Sequence, residues 1–164
     1  MKDFDRAPLT RLSKRTAAIP FPEDIYAHNL ISSVKEFLHD NFRGLASLEI
    51  VSTDSTVIKI STEYLAYTLK LLLKAIDGRA FVDIKANVNH LGIELRFEVD
   101  KQISISKKEE ALIFSAATNA GFELYPSKDG FILRTKAVQK QLPAYIYATS
   151  PERIKQIFVN IFFE

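Results

Sequence analysis

Two neighbouring runs, residues 80–88 and 92–99, constrain this chain more than any other feature. Within them Phe81, Asp83 and Lys85, and then Ile93, Leu95 and Phe97, recur at every second position. In an extended chain that spacing sends alternate side chains to opposite faces. Asn89 and His90 connect the runs, and so short a link joins antiparallel strands, since a parallel pair needs a long crossover. A sheet made this way is apolar on one face and wet on the other, so it requires a covering layer.

Helical patterns on either side supply that layer. Leu30, Ile31, Val34, Phe37, Leu38 and Phe42 keep helical spacing up to Gly44, and Glu23 and Asp24, after Pro20 and Pro22, suit the positive end of a helix dipole. Residues 46–52 and 56–60 are β-rich and flank Thr53, Asp54 and Ser55, predicting a short antiparallel pair. Ser61 or Thr62 can cap a second helix that ends at Asp77 and Gly78. Its core face is Leu65, Leu69, Leu72, Leu73 and Ile76, with Tyr67, Lys70 and Lys74 on another. A third helix, about 107–120, presents Ala111, Leu112, Ser115, Ala116 and Asn119, and its Ala116, Ala117 and Ala120 permit close approach before Gly121 stops it. Residues 122–125 and 131–136 flank Ser127, Lys128, Asp129 and Gly130, a hairpin signature.

The expected fold is therefore a two-layer α/β sandwich: a mixed, mostly antiparallel sheet covered on one face by about three helices, plus a C-terminal helix. In the tail, a short apolar run at 144–148 precedes Ser150 and Pro151, which suit a helix cap and first turn. The stripe Ile154, Ile157, Phe158, Ile161 and Phe162 that follows has two uses open to it. It can pack back on the domain, or meet a protein partner or a second copy of the chain.

With 164 residues, one core of ordinary size can form without disulfides or metal. There is no cysteine for a thiolate metal site or a nucleophile. A net charge of +2 gives no chain-wide attraction to nucleic acid or to an anionic membrane. Residues 1–20 form a basic arm (Lys2, Arg6, Arg11, Lys14, Arg15) without an apolar run of signal-peptide length, and no stretch approaches the ~20 apolar residues of a membrane span. The sequence thus reads as cytoplasmic, with an arm at 1–20, a domain at 21–138 and a C-terminal extension at 139–164.

The order helix, β-pair, helix, long hairpin, helix, hairpin, from about Asp24 to Val138, resembles the catalytic ATP-binding domain of histidine kinases and the wider GHKL superfamily. The resemblance covers about seven tenths of the chain. "NLISSVKEFLHDNF" enters "LEIV"; "ISTEYLAYTLKLLLKAI" stands in the place of the helix that bears the N box; "GIELRFEVDKQISI" stands where a strand runs into the G1 box; "ALIFSAATNAGFELYPSKDGFILRTKA" is similar to the closing helix and hairpin. The family's N box implies a polar residue and, four positions on, an asparagine that ligates magnesium. Lys70 and Lys74 occupy those places, and an ammonium group has donors only. The resemblance implies an adenine-binding role for Asp100, but Gln102 and Ser104 replace the G1 glycines and are expected to crowd the pocket mouth. Between that segment and the third helix there is no length for a lid. Lys70 and Lys74, four residues apart, could instead form a solvated face, fill the space left by metal and phosphate, or bind a partner's acidic group.

No other catalytic seat is visible. His28 and His39 sit on the first helix and His90 in a turn, without metal-ligand spacing; "YAHNLIS" lacks the acidic neighbour and downstream proline of a kinase phosphorylation box. No glycine-rich phosphate loop or nucleophile elbow appears. The expectation is a non-catalytic, degenerate histidine-kinase-like domain in bacterial two-component signalling: no cofactor, no metal, a protein partner, with a homodimer as the other use of the tail. The alternatives are a divergent ATP-binding ATPase or kinase that uses Asp100 and the lysines, and an unrelated α+β binding domain that imitates the layout.

Overall fold

The computed structural model describes residues 22–139 and 150–163. The basic arm at 1–20 and the apolar run at 144–148 lie outside the described residues. In chain order the elements are β1 (Glu23–Tyr26), α1 (Ala27–Asn41), β2 (Ala46–Ser52), β3 (Val57–Ile60), α2 (Thr62–Ile76), β4 (Val82–Asn89), β5 (Gly92–Val99), α3 (Lys107–Ala120), β6 (Glu123–Ser127), β7 (Gly130–Lys136) and α4 (Pro151–Phe162). A five-stranded sheet has the order β2-β4-β5-β7-β6, and β1 and β3 form a separate two-stranded sheet. Only the β2–β4 pair in the large sheet is parallel; its other pairs are antiparallel. This is the mixed, mostly antiparallel sandwich that the sequence predicts.

The long hairpin holds the expected alternation. Ile84 faces Phe97 across β4–β5, and Phe97 faces Phe131 across β5–β7, all three in the core. The intervening residues carry charge on the opposite face, where Lys85 pairs with Glu98 at 3.4 Å and Arg134 with Glu94 at 2.9 Å. Gly92 sits at φ +148, where an added side chain would run into the Thr135 carbonyl oxygen. Only glycine lets β5 lie against β7 there.

Helices α1 and α2 lie on the apolar face of the sheet. Leu30, Ile31 and Val34 of α1, Leu65 and Leu69 of α2, and Leu48, Ile84, Leu95 and Phe97 of the sheet enclose a void of only about 10 Å³, whose apolar walls give a water molecule no side-chain partner. Ser61 caps α2 by accepting from the Tyr64 N–H at 3.3 Å, and Asp77 closes the helix in the left-handed region. Helix α3 starts with a capping box in which Ser106 and Glu109 satisfy each other's backbone N–H, and ends at Gly121 with φ +105.

Several expectations give way to tertiary pairing. Glu23 and Asp24 do not begin a helix: they belong to β1, whose backbone pairs with β3 from Glu23↔Ile60 to Tyr26↔Val57. That pairing buries Ile25 completely, and α1 starts only at Ala27. Nor do β2 and β3 pair with each other. Strand β2 runs parallel to β4, reached through β3 and the α2 crossover, and β3 turns aside to β1. On α3 the buried residues are Ile113, Ala116, Ala117 and Ala120. The predicted face is thus rotated, because the helix leans on α2 as well as on β6.

The tail takes the first of its two uses. Helix α4 packs across α1 and α2, and Ile154, Phe158 and Ile161 are buried in the one core cluster that also contains the sheet residues. Ile157 and Phe162 are partly buried against it. Of the two uses open to this stripe, packing on the domain is the one observed, and Ile154, Phe158 and Ile161 are not presented to a partner. Tyr67 of α2, expected away from the core, is buried at 7% exposure.

Candidate functional site

The residues singled out at the N-box and G1 places gather at one end of the sandwich, around the end of α2 and the segment that follows β5. Lys70 stands half-buried on α2 and reaches α4, where its Nζ donates to the Ile161 carbonyl oxygen at 2.8 Å. Ile161 lies in the last turn of α4, whose carbonyls have no partner within the helix. A cation at that end also opposes the negative pole of the helix dipole. The amine is thus engaged inside the chain rather than standing on a solvated face. Lys74, one turn further along α2, is exposed.

Asp100 follows β5 directly and is exposed at the sheet end. Its Oδ1 accepts from the Phe81 N–H at 2.8 Å, and its own N–H donates to the Phe81 carbonyl at 3.1 Å. One carboxylate oxygen therefore closes the ladder between the ends of β4 and β5. Gln102 and Ser104 are exposed. Ile103 and Ile105 alternate with them and pack against the core, which lays the segment down on the domain. Residues 100–106 make up the whole link from β5 to α3; the expected absence of lid length is visible in that connection.

Arg79, which sequence reasoning passed over, joins these parts. Its Nε donates to the Ile76 carbonyl at 3.0 Å and its Nη2 to the Ala75 carbonyl at 2.7 Å, completing the end of α2. Both terminal nitrogens also lie 3.5 Å from the Ser104 carbonyl. The guanidinium thereby links the end of α2 to the segment that follows β5. A basic residue just past a helix end was the available signal.

At the other end of α2 a charged cluster fixes the start of α4. Arg153 Nη2 donates to Glu23 Oε1 at 2.9 Å. Burial pushes the nearby Glu63 carboxyl above its ordinary value, the Arg153 charge pulls it back, and Glu23 adds to the rise. A cleft of about 720 Å³ lies elsewhere, lined by Tyr26, Asp54, Ser55, Thr56, Val57 and His90 among others. His28 Nδ1 lies 3.2 Å from Thr53 Oγ1, beside a neighbouring cleft. No cluster of three or more histidine, aspartate or glutamate side chains suited to a metal occurs among the described residues, and no helix among them is long and apolar enough to cross a membrane.

Two solved structures overlay on this arrangement. One is the histidine kinase AdeS of Acinetobacter baumannii, at 13% sequence identity, covering 80% of this chain and 75% of that one with a TM-score of 0.53. The chain has the histidine-kinase fold. The other is the ATP-binding domain of PrrB from Mycobacterium tuberculosis, at 17% identity, covering 72% of this chain and 98% of that one with a TM-score of 0.50. No family model and no curated protein matches the sequence. The likeness to both solved structures is one of fold.

Proposed function

We propose that this chain is a non-catalytic histidine-kinase-like domain that serves bacterial two-component signalling as a docking, regulatory or phosphotransfer-scaffold module. The observation that carries the reading is the Lys70 contact. At the first N-box position the side chain is an amine, and that amine is held at 2.8 Å by the Ile161 carbonyl of a helix lying over the same face. Four positions on, at the place of the magnesium-ligating asparagine, Lys74 is a second amine with no lone pair for a metal, so a magnesium ion would meet two cations and no side-chain oxygen. The short 100–106 link and the Arg79 contacts to Ser104 support the same reading, since phosphoryl transfer depends on preorganised contacts to the phosphates and metal. The residues at these places do not fit a magnesium–triphosphate group of the family kind.

Calorimetric titration with Mg-ATP tests this directly. The expected trace shows no saturable heat up to about 1 mM nucleotide, the upper end of ordinary KM values. Saturable micromolar binding would overturn the proposal. So would steady-state phosphate release that disappears in Lys74→Ala, the behaviour of a divergent ATPase.

A further inference from the structure

We draw no further inference here: the strongest candidate, the aromatic patch at the C-terminal ends of α1 and α4 where Phe42 stacks on the half-exposed Phe163, is an apolar face on which nothing in the structure shows what covers it.

Discussion

Replacing Phe158 by alanine measures whether α4 belongs to the core or merely rests on it. The side chain is fully buried, with its ring 5.4 Å from Phe37 and 6.3 Å from Phe162. Burying a phenylalanine contributes about 1.5–3 kcal/mol from transfer alone. Removing the ring also leaves a cavity between α1 and α4, which brings the expected loss to about 3–5 kcal/mol. A domain of this kind has about 5–15 kcal/mol in total, so the loss is a large share of it. In equilibrium urea unfolding, at a slope of about 2 kcal/mol per molar, the midpoint should fall by about 1.5–2.5 M. Phe163→Ala, on a half-exposed ring at the same helix end, should cost below about 1 kcal/mol. The contrast carries the test: equal small shifts for both variants, or an early minor transition ahead of the main one, would mean that α4 opens separately and that its contacts contribute little to the fold.

Two further outcomes follow from polar contacts of the same helix. Lys70→Met removes the donor to the Ile161 carbonyl and the cation at the end of α4 while keeping the aliphatic stem, and should cost about 1 kcal/mol in thermal unfolding; no loss would mean that water satisfies the carbonyl equally well. Glu63 has a folded-state carboxyl raised above its ordinary 4.5 by burial. Its protonated form is therefore the one the fold prefers. The associated stability is fully present below the unfolded value and is lost as pH rises through the folded one. Glu63→Gln should accordingly be more stable than the parent at pH 7, with the difference vanishing below about pH 4. A Glu63→Gln variant less stable than the parent at pH 7, with the deficit shrinking toward acid, would show that attraction to Arg153 outweighs burial.

The sequence exposed most of the layout because local and tertiary preferences agree in the long elements. Ile84, Leu95 and Phe97 alternate as a half-buried hairpin must, and Ser61, Ser106 and Gly121 carry cap chemistry where α2 and α3 begin or end. Pairing partners were not written locally. Nothing in residues 46–60 distinguishes a hairpin from two strands that leave for different neighbours, and the choice depends on α2 returning the chain to β4 beside β2. The start of α1 failed for a similar reason, since Glu23 and Asp24 suit a helix terminus but Ile25 gains complete burial in a strand.

At the candidate site the same distinction is sharper. Residue types alone show that Lys70 and Lys74 bring donors and no lone pair. What the Lys70 amine does depends on a residue 91 positions away, a separation at which no local pattern carries information. The lysine and the terminal helix are complementary: the amine supplies the donor and charge that the last turn of α4 lacks, and the helix supplies an acceptor for a half-buried amine. Either one alone would leave a polar group short of its partner in a poorly solvated place. Lys70 and the helix lying over it are therefore parts of one arrangement, in which their contact ties the end of α4 to the face of α2.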